Sequence, residues 1–166
     1  MIAAVMTQLL IVYHSRTGGA RQMAAAALEA ASSEGAAVSV QAANAGPDDL
    51  LSAAGYIFCA PENLAALSGP MKDFFDRCYY PVLERIEGRP YAQMIAAGSD
   101  GEGAARQIRR IATGWRLREV QPPLIVCTHA QTPAAILAEK TVPDAELARC
   151  RELGAAMAAG LSLGVF

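Results

Sequence analysis

The stretch TQLLIVYHSRTGGARQMAAAALEAAS, residues 7–32, decides how this chain is read. Residues 7–13 form a short apolar run that is continuous rather than alternating, as in a strand covered on both faces. Ser15, Thr17, Gly18 and Gly19 follow, and then an alanine-rich segment over 20–33 with high helix propensity. Strand, turn and helix make the first unit of a βα repeat. The N–H groups that open a helix are unpaired and the helix dipole adds positive potential, so the turn is a candidate anion cradle. The same residues also suit an ordinary capped turn.

Working outward, the pattern repeats. Strands are predicted over 37–42, over 56–60 with Pro61 as their end, over 90–97 ending at Gly98-Ser99-Asp100-Gly101, and over 123–128. Between them come a short helix after Gly46-Pro47-Asp48-Asp49 and a helix from Gly69 through MKDFFDRCYY with Pro70 in its first turn. A helix over 103–113 with Gly114 as its stop and a last helix over 143–159 with Thr141 as its cap complete the pattern. A β-α alternation repeated five times implies a parallel sheet covered on both faces, because parallel strands need crossover helices. No Pro/Gly/Ser linker and no internal repeat divides the chain, so a single domain over 1–166 is expected.

Composition bounds the function. The net charge of -2 leaves no nucleic-acid footprint, and 53% hydrophobic against 18% charged residues excludes disorder. The chain carries 35 alanines and 12 arginines but only two lysines, Lys72 and Lys140, with 6% aromatics, so helices must pack closely through small side chains. Cys59, Cys78, Cys127 and Cys150 form no C-x-x-C motif. Cys59 and Cys127 lie in apolar runs and read as free buried thiols. The N-terminal stretch lacks a basic n-region and a small-residue cleavage site, and the longest apolar run is too short for a bilayer, so no membrane partner and a cytoplasmic location are expected.

Ligands of such sheets bind beyond the carboxyl ends of the strands. Competing phosphate loops fail: there is no G-x-x-x-x-G-K-[ST], and Gly101-Glu102-Gly103 runs into Ala104-Ala105-Arg106, which breaks G-x-G-x-x-G. A receiver domain would need carboxylates at the ends of strands one and three, where only Glu62 is near.

Three motifs carry a resemblance. Ser15-Arg16-Thr17-Gly18-Gly19-Ala20 resembles an [ST]-x-T-G-x-T phosphate loop, Cys59 through Arg77 resembles a proline-initiated loop followed by an M-K-x-F-x-D helix, and Ala97 through Gly103 sits like a third loop after strand four. In that order the chain resembles the flavodoxin-like flavoproteins, in particular their NAD(P)H-dependent FMN or quinone reductase branch. The resemblance implies a doubly wound five-stranded parallel sheet, order 2-1-3-4-5, with helices on both faces. It implies FMN held by Ser15, Arg16, Thr17, Gly18, Gly19 and Ala20 at the phosphate, by Pro61, Glu62, Asn63 and Leu64 past the ribityl chain and ring, and by Gly98, Ser99, Asp100 and Gly101 at the other ring edge. Ala20 stands where the pattern has Thr; Arg16 or Arg21 is the candidate compensating charge.

The implied activity is hydride or electron transfer from NAD(P)H to a small-molecule acceptor, a quinone, flavin or similar compound, by a dimer or tetramer. The cofactor does the chemistry, so no catalytic acid or base and no metal ligand is assigned. Flavodoxin electron carriers and non-enzymatic relatives of the fold are the alternatives. The mild charge and the absence of aromatics from 61–68 and 98–103 favour the enzyme, since an uncovered ring face leaves room for a second planar molecule. His14 reads as a satisfied buried histidine, His129 as a surface-loop residue, Tyr79, Tyr80 and Trp115 as packing residues, and Arg106, Arg109 and Arg110 as a solvated helix face.

Overall fold

The computed structural model describes residues 5–166. Residues 1–4, where the expectation about a leader and the single-domain span begin, lie outside the described residues. The strands are β1 (Leu9–Tyr13), β2 (Ala37–Gln41), β3 (Gly55–Asn63), β4 (Ala66–Leu67), β5 (Pro90–Ala97), β6 (Arg118–Glu119) and β7 (Leu124–Cys127). The helices are α1 (Gly19–Glu34), α2 (Pro47–Ser52), α3 (Gly69–Val82), α4 (Glu102–Gly114), α5 (Pro133–Leu137) and α6 (Asp144–Leu163). The sheet runs β2-β1-β3-β5, with β6 and β7 both beside β5, and every pair is parallel except the short β3–β4 hairpin. The expected flavodoxin-like order therefore holds, with two elaborations.

The first is at the outer edge. The single strand expected over 123–128 is two pieces, because Pro122-Pro123 offer no N–H and interrupt the pairing after Arg118–Glu119. The second is in β3. Pro61 does not end the strand; it pairs in register with Ala96, and the strand continues to Asn63. Backbone groups alternate sides along a strand. Cys59 turns its carbonyl to His14 on the β1 side, so Pro61 also faces β1, which has already ended. The missing N–H costs no ladder bond there.

Alternation also splits the core. Leu10, Val12, Tyr56, Phe58 and Ile95 face α2, α3 and α4, whereas Leu9, Ile11, Ile57, Cys59 and Met94 face α1 and α6. All six fully buried aromatics, Tyr56, Phe58, Phe74, Phe75, Tyr91 and Trp115, belong to the first face. The second has no fully buried aromatic and is built of leucine, isoleucine, valine, methionine and alanine side chains. There α1 and α6 approach so closely that a Cβ on Gly154 would lie 2.1 Å from the Ala27 carbonyl oxygen. Tyr79 stacks on Trp115, but Tyr80 is exposed rather than a packing residue.

Arginines tie the connections down. Arg77 donates to the Ala42 and Ala45 carbonyls before α2, and Arg89 to those of Leu50, Leu51 and Ala53 at its end. A planar guanidinium with several donors suits such multi-carbonyl clamps. Thr141 does not cap α6: its N-cap is Pro143, and Asp144 and Glu146 complement the dipole from the first turn.

Candidate functional site

The site begins where β1 ends. His14 N–H makes the last bond to β3, 3.0 Å from the Cys59 carbonyl, and the chain leaves the sheet through Ser15–Gly18. Gly18, the N-cap of α1, sits at φ 92°, a conformation open to glycine but costly for a residue with a Cβ. Ser15 Oγ accepts the Gly18 N–H at 3.1 Å, which shapes the turn. Gly19 and Ala20 are buried, yet as first-turn residues their N–H groups have no acceptor within the helix. N–H groups without an intrahelical acceptor at the positive end of a 16-residue helix, with Thr17 bordering the same cleft, fit a phosphate group chemically.

The second wall is a rigid unit of hairpin and helix. β3 and β4 pair through Glu62–Leu67 and Asn63–Ala66 around a two-residue turn. Leu64 and Ala65 both have positive φ, 52° and 62°. That turn favours Asn-Gly, so these side chains hold a strained shape. Contacts with α4 keep it in place. The Glu62 carboxylate accepts N–H bonds from Gly101 (2.9 Å) and Ala104 (3.1 Å), and the Gln107 side chain accepts from Leu67 N–H at 2.6 Å. Gly103 allows the approach: a Cβ there would fall 2.1 Å from the Ala65 carbonyl oxygen.

These contacts revise several expected roles. Glu62 borders the cleft, but both its carboxylate oxygens cap α4. Leu64 points away at the hairpin tip, fully exposed at 101%. Gly101 is the N-cap of α4, at φ 88°. None of Ser99, Asp100 and Gly101 lines the cleft, whereas Gly98 does. Asn63 also borders it and makes no side-chain hydrogen bond within the described residues.

The third wall carried no recognised motif. After β7 the chain forms α5 and returns across the phosphate loop as residues 139–142. Lys140 N–H donates to the Thr17 carbonyl at 2.8 Å. The Gln22 side-chain amide donates to the Lys140 carbonyl (2.6 Å) and accepts from Val142 N–H (3.0 Å). Thr132 caps α5 at the Ala135 N–H, and its Ile136 and Leu137, 49% and 58% exposed, border the cleft with Lys140 and Val142.

Together the three walls border a cleft that is open to solvent on one side. Ser15, Arg16, Thr17, Gly19 and Ala20 meet Pro61, Glu62, Asn63 and Gly98 around it; Gly18 borders an adjoining hollow with Arg16 and Arg21. Met23, Ala96, Ala97, Val126, Thr128 and Ala130 complete the lining with Ile136, Leu137, Lys140 and Val142, none of them assigned to the site from the sequence.

Titratable groups nearby are mostly structural. His14 Nδ1 lies 2.9 Å from the Ser68 hydroxyl, and burial lowers its pKa. His129 is an exposed rim residue at φ 59°. Burial raises the Cys59 thiol well above its usual range, and Cys78 and Cys150 to about 11. Cys127 is only partly buried, unlike the expectation for its apolar run. Among the described residues no helix is long and apolar enough to cross a membrane.

Comparison with known proteins agrees with this geometry. No curated protein matches the sequence significantly. An archaeal flavodoxin superimposes with a TM-score of 0.76 at 18% identity, covering 93% of this chain and 99% of its own. A WrbA-like flavodoxin from Agrobacterium tumefaciens gives 0.68 at 17% identity, over 95% and 98%. The flavodiiron protein from Giardia intestinalis gives 0.76 at 14% identity over 95% of this chain, which spans only 37% of that longer protein. At these identities the likenesses speak for the fold. The family model described as NADPH-dependent FMN reductase matches residues 34–132, which include the hairpin and the Gly98–Gly101 turn. Because that match spans more than half of the chain, this protein belongs to the NADPH-dependent FMN reductase family.

Proposed function

We propose that the cleft binds FMN and that the protein is an oxidoreductase taking hydride from NADH or NADPH to reduce a quinone, flavin or similar small acceptor. The observation that carries the reading is the meeting, in one cleft, of an N–H cradle at Ser15–Ala20 with an aromatic-free wall at Pro61–Asn63 and Gly98. FMN, when bound, supplies the hydride and electron transfer. The chain's own residues do the rest. Gly19 and Ala20 N–H and the Thr17 hydroxyl hold the phosphate; Ser15 shapes that loop. Glu62 fixes the Pro61–Asn63 wall by capping α4, and the Asn63 amide is free to bond a polar ring edge. The walls offer no aromatic side chain to cover a bound ring, so a second planar molecule has access.

Leu64, an apolar side chain wholly exposed beside the cleft, is where we place a neighbouring subunit in a dimer or tetramer. We assign the protein to the cytoplasm and to small-molecule substrates. The test is a visible spectrum and FMN fluorescence titration of the purified protein, followed by NADH and NADPH oxidation with a quinone acceptor. Flavin uptake with turnover supports the reading. Uptake without turnover from either nucleotide makes the protein a carrier, and no uptake leaves only a relative of the fold.

A further inference from the structure

An anion at the start of α1 meets few side-chain cations from α1 itself. Ala20 has no hydroxyl to offer, and Arg21 is ion-paired with Glu139 at 3.4 Å. Arg16, exposed in the loop before α1, borders the cleft, and a further cation comes from a segment about 120 residues away. The main chain of Lys140 is locked onto the phosphate loop on both sides, by its N–H to Thr17 and by its carbonyl to the Gln22 amide, which also donates to the Gly18 carbonyl at 3.0 Å. The side chain therefore starts beside the cradle: a Cβ on Gly19 would lie 3.9 Å from the Lys140 Cβ. In the free protein the exposed ammonium donates to the carbonyls of Ala135, Ile136 and Ala138, all neutral acceptors. α5, which these bonds finish, has five residues and buries none of them. So brief a helix has little stability of its own. The ammonium's bonds to these carbonyls are already charge-assisted, but a phosphate adds the Coulombic attraction of an opposite full charge, which a neutral carbonyl lacks. A phosphate in the cradle can draw the ammonium across on its flexible four-carbon stem.

We propose that Lys140 is a phosphate-binding cation of this site and that Gln22 is the residue that positions it, so that the 139–142 segment is a fourth binding loop selecting a flavin with a terminal phosphate. The proposal rests on the FMN reading. Its test is equilibrium titration of FMN and of riboflavin, which lacks the phosphate, into the wild type, Lys140→Met, Lys140→Arg and Gln22→Met. Lys140→Met is expected to weaken FMN about tenfold, equivalent to about 1.4 kcal/mol. Riboflavin affinity should stay within about twofold, and the FMN affinity of Lys140→Met should depend less on salt. Lys140→Arg should retain most FMN affinity, because the positive charge remains. Gln22→Met should weaken FMN and speed hydrogen exchange at Lys140 and Val142. Unchanged FMN affinity in Lys140→Met overturns the proposal while leaving the cofactor reading intact. An equal loss for both flavins also overturns it, since Lys140 would then only hold α5. A wild type that takes up no FMN overturns the cofactor reading and this proposal with it.

Discussion

Replacing Gly103 by alanine sets two physical effects against each other. Gly103 lies in the first turn of α4, where helix propensity alone favours alanine by up to about 1 kcal/mol. The new Cβ, however, would stand 2.1 Å from the Ala65 carbonyl oxygen and 3.0 Å from its carbon. Both are backbone atoms, so no rotamer change relieves the contact. The hairpin tip would have to retreat by about 1 Å, and overpacking of this kind costs about 1–3 kcal/mol. The same retreat stretches the 2.6 Å bond from Leu67 N–H to Gln107, whose loss adds about 1 kcal/mol. The net expectation is destabilisation by about 1–3 kcal/mol. For a chain of this size each kcal/mol lowers Tm by about 2–4 °C. Thermal unfolding of the apoprotein measures the stability, and FMN titration measures the displaced wall. An unchanged or higher Tm would refute the reasoning, because helix propensity would then have outweighed a contact that the hairpin absorbs without cost.

Three further outcomes are expected. Gly154→Ala, whose Cβ would lie 2.1 Å from the Ala27 carbonyl oxygen between two packed helices, should lower the urea midpoint despite its better propensity; an unchanged midpoint would mean that α1 and α6 separate easily. Burial lowers the pKa of His14, so below its ordinary value of 6.5 the unfolded chain binds more protons than the folded one. Its contribution to stability is therefore complete above pH 6.5 and falls as pH drops from there towards the lowered folded value, a dependence that His14→Gln should flatten in urea titrations across that range. An aromatic disulfide reagent at pH 8 should modify Cys127 first, with Cys59, Cys78 and Cys150 reacting only on unfolding, since these three are buried and their thiols are held protonated; rapid reaction of all four in the folded protein would contradict the packing.

Strand and helix order were legible because they depend on local periodicity. The apolar runs at 7–13, 56–60 and 90–97 carry the sheet, and the glycines at 18 and 19 mark the turn into α1. The phosphate loop was equally local, since a helix start exposes its N–H groups whatever lies around it. Reading Pro61 as a stop failed for the opposite reason. Whether a proline ends a strand depends on which neighbour its nitrogen faces, and that is settled by where β1 stops. Glu62 likewise reads as a free loop carboxylate until α4 is folded against the hairpin and takes both its oxygens.

By itself, then, the sequence determined a flavodoxin-like βα chain and the strand ends at which a ligand would bind. The tertiary structure decided which residues share the cleft. Glu62, Gly103 and Gln107 join elements about 40 residues apart, and Gln22, Lys140 and Val142 join others about 120 apart. Such contacts are made largely to main-chain N–H and carbonyl groups, which every non-proline residue carries alike, so no residue pattern announces them.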